Sequence, residues 1–501
     1  MKHQIVIIGS GLGGLLTAVL LAKEGYDVAI IEQNKQIGGC LQTFSFDKKI
    51  FDSAVHYLGS LGEGEVLNQI FSYAGIQKDL QLKRLDQDCF DAVLFGSDPQ
   101  QYKLAQGLDN FADSLWQQFP EEKEAINAYT RLLQDTCDRF PLYNLRNGDA
   151  AEKEEVLHLK LAQELQKITT NQTLQKVLSG NAILYAGMAQ KTAFSTHALV
   201  SKSYIDSSWR CVGGSSQIAK LLWRKLQEYG GVIYRHEKIK RLVVNNGIIE
   251  KAVAASGNEF LGTHFIANIH PQQTIALLSD QSILKSVFKN RILEATPTVG
   301  CIMVNIVLKP RTVSYKNYNI NWNLKDGLEV IDALSEFFPV NYSIYYTEDS
   351  HNHGFAESVS ILSYINTSDF AVWKNSFNST MAAQEREPAY TDFKEEKAVL
   401  LINKVAERFP ELKEQMQSYK IATPLTYRDY QGSVTGDMYG IQKDVNQLNH
   451  TRFTTKTRIP NLHLTGQNIN LHGVLGVSMT AISSAADFLG LDYLLQKINE
   501  A

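Results

Sequence analysis

Residues Ile5 to Glu32, IVIIGSGLGGLLTAVLLAKEGYDVAIIE, restrict what this chain can fold into more than any other stretch. A short apolar, β-branched run comes first, followed by a glycine turn, an apolar stretch suited to a buried helix, and a second strand tipped by an acid. Each glycine has its own task. Gly9 makes the tight turn, Gly11 lets the backbone approach a pyrophosphate, and Gly14 lets the helix lie close on the strand. The first N–H groups of such a helix have no intrahelical partner and carry partial positive charge, so they call for an anion. Glu32 is placed to accept hydrogen bonds from a ribose, and its charge repels a 2′-phosphate, which disfavours NADP. Lys2 and His3 precede a long apolar stretch, as in a secretory leader. No small-x-small cleavage site follows, however, and cutting there would destroy a coherent βαβ unit.

At 501 residues the chain has length for two or more domains, and 44% hydrophobic with 20% charged residues is an ordinary globular composition. A net charge of -4 gives no electrostatic footprint for nucleic acid. No polybasic run of the kind that anchors proteins to anionic lipid is present. The cysteines Cys40, Cys89, Cys137, Cys211 and Cys301 are odd in number and lack CxxC spacing. They read as reduced thiols of a cytoplasmic protein, with no disulfide frame and no metal site. No apolar stretch outside the N-terminal unit reaches membrane-spanning length, so no span is expected, while peripheral membrane contact stays open.

Beyond Glu32, Gly38 and Gly39 form a turn that can bring backbone N–H groups to the same ligand, and FDSAVHYLG (Phe51 to Gly59) reads as a strand entering a small-residue turn. From about Glu65 to Ser203 the spacing turns helical and glycines thin out, which predicts a mostly helical insertion. A glycine turn returns at Val212, where Ser215 or Ser216 can cap a helix running to Tyr229. Residues 232–269 then read as strands with turns at Asn245-Asn246-Gly247 and Ser256-Gly257-Asn258. A second insertion, about 274–454, mixes strands (299–307, 342–346, 359–365) with helices such as 395–409. Residues 461–490 read as a strand, a turn and one closing helix. The expected organisation is therefore discontinuous, with 1–64, 205–273 and 455–501 forming the cofactor domain and 65–204 with 274–454 forming the substrate domain.

The last of these segments, NLHLTGQNINLHGVLGVSMTAISSAADFLG, argues for FAD. A simple NAD domain has no use for a second glycine-rich turn into a helix hundreds of residues later. An isoalloxazine ring and ribityl chain reach past the pyrophosphate and must be met by another element. Gly473 and Gly476 allow close approach, and a helix starting there directs its positive end at the part of the flavin where charge gathers on reduction.

With GSGLGGLLTAVLLAKEGYDVAIIEQ, IGGCLQTFSF, FDSAVHYLG, GGSSQIAKLL, TPLTYRDYQGS, MYG and LTGQNINLHGVLGVSMTA in order from residue 5 to about 482, the chain resembles the flavoprotein family of phytoene desaturases, carotenoid isomerases and retinol saturases, most of all its retinol saturase-like branch. The resemblance implies an α/β fold: a bipartite Rossmann-like FAD-binding domain with an inserted α+β substrate domain, in a monoamine oxidase-like architecture. It implies that Gly9, Gly11, Gly14, Glu32, Gly38 and Gly39 hold the ADP part of FAD, with Leu12, Gly13, Gln33 and Cys40 beside them. Lys238 or Ile239 would meet the adenine through backbone. Gly466, Gln467 and Asn468, with Gly473, Val474 and Leu475, would meet the ribityl chain and flavin. Gln467 stands where many relatives have Asp, and Cys40 where amine oxidase relatives have Arg. Cys40 reads as a small packed residue.

Through this resemblance the expected chemistry is hydride transfer at flavin N5 to or from a carbon–carbon bond of a hydrophobic polyene or isoprenoid, with one proton supplied or removed by the protein. His56, Tyr57, Tyr430, Tyr439 and His472 are the candidates for that proton, His56 first, because histidine exchanges protons near neutral pH. Two further readings are redox-neutral cis/trans isomerisation and, from another class, a prenyl-binding protein of the GDP-dissociation-inhibitor type. The intact glycine set, Glu32 and the TGQN turn speak against the last. The residues do not specify substrate, direction, electron partner or oligomeric state.

Overall fold

A computed structural model of the protein describes residues 1–380 and 383–501. The strand Lys2–Ile8 lies at the centre of a seven-stranded sheet because Ile5 to Ile8 are buried and apolar, so both faces of the strand need cover. It pairs in parallel with Val28–Ile31 on one side and Glu259–Ala267 on the other, Ile5 lying opposite Val28 and His264. Val232–Tyr234 extends one edge. Ile248–Ala254 and Ile239–Asn245 extend the other as an antiparallel meander, and Leu462–Leu464 pairs in parallel with the far end of Glu259–Ala267. Asn246 and Gly247 both take positive φ at the tip of that meander, as a two-residue hairpin requires.

The helix Leu12–Lys23 is buried from Leu12 to Ala22, which explains why it is apolar all round. It is sandwiched between Gly473–Leu489 and Ser216–Glu228. Leu15, Leu16, Val19, Leu20 and Leu21 are fully enclosed there, each contributing about 1.5–3 kcal/mol relative to an exposed position.

A second seven-stranded sheet runs in the order Met416–Ala422, Gly300–Leu308, Ala356–Ile365, Asn341–Glu348, Asn319–Asn323, Asp91–Phe95, Tyr102–Leu104. Helix Pro388–Ala406 covers one face through Ala398, Leu401, Ile402 and Val405. The small sheet Leu58–Gly59, Ser208–Cys211, Leu82–Arg84 lies beside it.

One expectation is corrected and two are refined. The 65–203 stretch is mostly helical, as expected, but also carries the strands Leu82–Arg84, Asp91–Phe95 and Tyr102–Leu104. Ala92 to Phe95 is a short apolar run, which periodicity cannot separate from a buried helix. Neither serine caps the helix Ser216–Glu228. The Ser215 hydroxyl and N–H both donate to Asp52 Oδ1, at 2.6 and 2.7 Å, so a carboxylate from the hairpin Thr43–Asp52 sits at the helix N-terminus instead. The chain also closes with two helices, because Gly490 at φ 83° separates Gly473–Leu489 from Leu491–Asn499. No helix among the described residues is long and apolar enough to cross a membrane.

The glycine turn makes the first prediction. A methyl group at Gly14 would lie 2.3 Å from the Gly9 carbonyl oxygen, whereas one at Gly25 meets nothing within 4 Å. Gly14→Ala should cost about 2–3 kcal/mol in urea unfolding, as overpacking does, and Gly25→Ala about 1–2 kcal/mol from its positive φ alone.

Candidate active site

The C-terminal ends of Lys2–Ile8 and Val28–Ile31 open into a cleft of about 830 Å³, within the range of small-molecule sites. All of the expected cofactor residues line it except Gly14, which packs beneath the turn, and Leu475, which lines a smaller adjoining cavity. Gly9, Gly38 and Gly466 all take φ near 100° (96°, 108° and 96°), which side chains rarely adopt. Gly11 leaves the helix Leu12–Lys23 without a side-chain cap, and His472 leaves Gly473–Leu489 equally uncapped. Two helix N-termini with free donors thus face one cleft.

Glu32 is buried and oriented. Its Oε2 accepts from the Ser10 N–H (3.0 Å) and hydroxyl (2.6 Å), and its Oε1 accepts from the Asn34 N–H (2.7 Å). Lys238 contributes backbone to the wall, its carbonyl accepting from the Ala255 N–H. Burial lowers the pKa of the Lys238 ammonium.

Several wall residues went unread in the sequence. Asn268 lies under the glycine turn, with Nδ2 donating to the Gly9 carbonyl at 3.1 Å. The segment Tyr430–Gly432 straps the cleft: the Tyr430 carbonyl accepts from Asn34, the Cys40 thiol donates to Gln431 (3.2 Å), and Gln273 donates to the Gly432 carbonyl. Tyr430 therefore stands in the cleft wall, apart from the other proposed proton carriers. Burial pushes the Cys40 thiol up to about 11, so it is protonated near neutrality and no nucleophile.

His56, Tyr57, Tyr439 and His472 do come together. His56 stacks on Tyr345 with ring centres 4.2 Å apart, Tyr57 packs on Tyr204 at 4.5 Å, and Tyr439 on His472 at 4.3 Å. Tyr439 and Tyr364 both donate to the Ile183 carbonyl. This aromatic cage adjoins the cleft, since Gly473 and Val474 line both the cleft and the small cavity that Tyr204 and His472 border.

The cage is uncharged. Burial, and then the nearby Arg210 guanidinium, push the His56 imidazole down to about 3, and burial brings His472 to about 4. Neither exchanges protons near neutral pH, which corrects the sequence-based reason for placing His56 first. His472 Nε2 is 2.9 Å from the Leu184 carbonyl, so that nitrogen carries the proton. Burial raises Tyr57, Tyr345, Tyr364 and Tyr439 as well, keeping them phenols. Behind the cage runs a buried polar chain. Tyr57 donates to Asp91 (3.0 Å), Asn319 donates to Asp91 (2.9 Å), Arg210 donates to Asn319 (2.7 Å) and, through its other terminal nitrogen, to the Tyr346 carbonyl.

Residues 7–74 match the family model described as an NAD(P)-binding Rossmann-like domain. Over 99% of its length the chain is 25% identical to the all-trans-retinol 13,14-reductase of Danio rerio, covering 87% of that protein. It is 24% identical to a 4,4'-diapophytoene desaturase of a Methylomonas species over 57% of each. Over nearly its whole length the chain is thus similar to proteins of the phytoene desaturase and retinol saturase kind. These relatives are oxidoreductases, and the chain is one as well. Among solved structures, cyclohexylamine oxidase from Brevibacterium oxydans superposes with a TM-score of 0.61 at 12% identity, covering 100% of this chain and 99% of that one. The architecture is thus that of the amine oxidases, a Rossmann-like part with an inserted second sheet.

Buried neutral histidines give the second prediction. His56 and His197 are pushed down to about 3, His270 and His472 to about 4, whereas an unfolded chain protonates them near 6.5. The unfolded state therefore binds more protons below 6.5, and stability falls with pH. Asp52 and Asp91, raised by burial to about 6, pull the opposite way below that point. Asp206, Asp369 and Asp437, also raised by burial, pull with them, but carboxyls held low, among them Glu24, Glu348 and Asp487, add to the histidines, so Tm should drop from pH 6.5 toward 4, measured by calorimetry in buffers of equal ionic strength.

Proposed function

We propose that the chain is an FAD-dependent oxidoreductase that acts on a carbon–carbon double bond of a hydrophobic polyene or isoprenoid, of the kind that the retinol reductase and desaturase relatives are named for. The observation that carries this reading is one cleft faced by two uncapped helix N-termini, with a neutral aromatic cage adjoining it at Gly473 and Val474. The first N-terminus with Glu32 suits an ADP moiety, and the second suits the ring of a flavin. An NAD-only site would leave the second without purpose.

The residues fit FAD. Gly9, Gly11 and Gly13 line the cleft where a pyrophosphate would lie, and Glu32, already held by Ser10 and Asn34, would present its carboxylate to the ribose. Lys238 and Ile239 would meet adenine, and Gly466, Gln467, Asn468, Gly473 and Val474 the ribityl chain and ring. Residues 1–64, 205–273 and 455–501 would form the cofactor domain, and 65–204 with 274–454 the substrate domain. When bound, FAD supplies hydride exchange at N5. The cage would keep water from the substrate side and, being uncharged, would cost an apolar substrate no competing ion hydration. A prenyl-binding protein without redox chemistry would need none of the glycine cradle.

Two measurements test the proposal. The purified protein should be yellow or take up FAD stoichiometrically, and Glu32→Ala should weaken that binding about 10- to 100-fold, the worth of a charge-assisted hydrogen bond. Anaerobic incubation of the reduced protein with retinoids, carotenoids and unsaturated lipids should yield a product heavier by two hydrogens. Unchanged mass with altered geometry would mean isomerisation, and a protein that binds no FAD would sink the reading.

A further inference from the structure

Saturating a C=C bond needs a proton as well as a hydride, and the cage provides no ready donor. Its imidazoles are neutral, with His472's proton committed to a backbone carbonyl, and its phenols are held high by burial. The acids of the cleft wall are Glu32, Glu237, Asp429 and Asp437. Three are fully engaged. Glu32 is bonded through both oxygens by Ser10 and Asn34. Glu237 accepts from the Ser256 hydroxyl and Asn258 amide. Asp429 is held by Arg386, Arg428 and the Asn378 N–H.

Asp437 differs. It is 2% exposed, its Oδ1 is fixed by the Thr435 hydroxyl (3.0 Å) and N–H (3.4 Å), and its Oδ2 is buried with no partner. No cation pairs with it among the described residues. It also stands where cleft and cage meet. Its chain neighbours Met438 and Tyr439 pack into the cage core, Tyr439 stacks on His472, and Cys40, across the cleft wall, feels its charge.

We propose that Asp437 is the catalytic acid that delivers the proton to the carbon not receiving hydride, and that takes it back in the reverse direction. This rests on the flavin reading above. In saturation, a bound reduced flavin would supply the hydride for one carbon of the double bond and would itself be oxidised. The Oδ2–H bond of Asp437 breaks, its proton goes to the other carbon, and the carboxylate left behind is reprotonated from solvent once product has left. Thr435, holding Oδ1, keeps Oδ2 aimed while both steps occur. A carboxyl that stays protonated above the usual range suits this role, and burial, the largest influence, raises Asp437. The groups facing it are Cys40 from the Gly38–Gly39 turn, Thr435, and the backbone of Gly440 on its own loop; none is cationic.

Asp437→Asn keeps the shape and removes no salt bridge. It should fold, hold FAD with an unchanged visible spectrum, and lower kcat by about 10²- to 10⁴-fold with KM unchanged, while Asp437→Glu restores part of the rate. In heavy water the wild-type product should carry deuterium at the carbon that takes the proton, and its rate of appearance should fall with kcat in Asp437→Asn. A readout independent of turnover is infrared titration of the FAD-loaded protein, in which a carboxyl band protonated above the ordinary range should vanish in Asp437→Asn. Retention of kcat within about threefold would overturn the assignment, as would loss of FAD from Asp437→Asn, which would make the residue a cofactor holder. If no polyene is turned over by wild type, the flavin reading fails separately, and the infrared band still decides whether Asp437 is a held acid.

Discussion

Asn268 is the point at which three distant parts of the chain are tied. Its side chain donates to the Gly9 carbonyl, and its amide group is the nearest atom set to Gly11, Gly13 and Gly466. A Cβ at Gly9 would sit 2.9 Å from the Asn268 carbonyl, and one at Gly13 would sit 2.7 Å from its Oδ1. The glycines are therefore needed as much for this mutual approach as for any ligand. The turn after Lys2–Ile8, the end of Glu259–Ala267 and the turn after Leu462–Leu464 converge on one amide, and the floor of the cleft is the result. Everything that lines the cleft inherits its position from that contact.

The second organising constraint is the management of charge. Arg210 is buried with only a carbonyl and an amide oxygen as partners, and its field reaches His56, Asp52 and Asp91. A guanidinium left in so dry a place is costly unless neighbouring carboxyls offset it at a distance. Asp91 does so through Asn319, whose amide passes polarity between the two strands that pair them. The interior beside the cage thus holds a cation while the cage itself stays neutral. Asp437, in the cleft wall and with no cation paired to it among the described residues, is left as the acid whose protonation is free to change.

The sequence disclosed local order well and long-range assembly poorly. Gly9, Gly11, Glu32 and Gly38 were legible because a dinucleotide turn is built from consecutive residues with fixed backbone demands. The TGQN turn was legible for the same reason. Asn268 was not, because a single asparagine after a strand carries no periodic signal; its meaning depends on a glycine 259 positions earlier. The cage was half visible. His56, Tyr57, Tyr439 and His472 sit in recognisable blocks, yet Tyr204 and Tyr345, which complete the stacks, lie in a helix and a strand with ordinary aromatic content. Protonation was least legible of all, since burial sets it. An imidazole that would titrate near neutrality in water is silent here.

The strand Leu462–Leu464 enters the first sheet beside Glu259–Ala267, and the helix that follows packs on Leu12–Lys23. That helix follows Leu12–Lys23 by more than 400 residues, so during synthesis the glycine turn emerges long before its last neighbours. Contacts of such high order form slowly. The nascent chain must carry the apolar helix Leu12–Lys23 partly uncovered for most of that time. Its exposure makes chaperone dependence, and sensitivity to C-terminal truncation, properties of the topology itself.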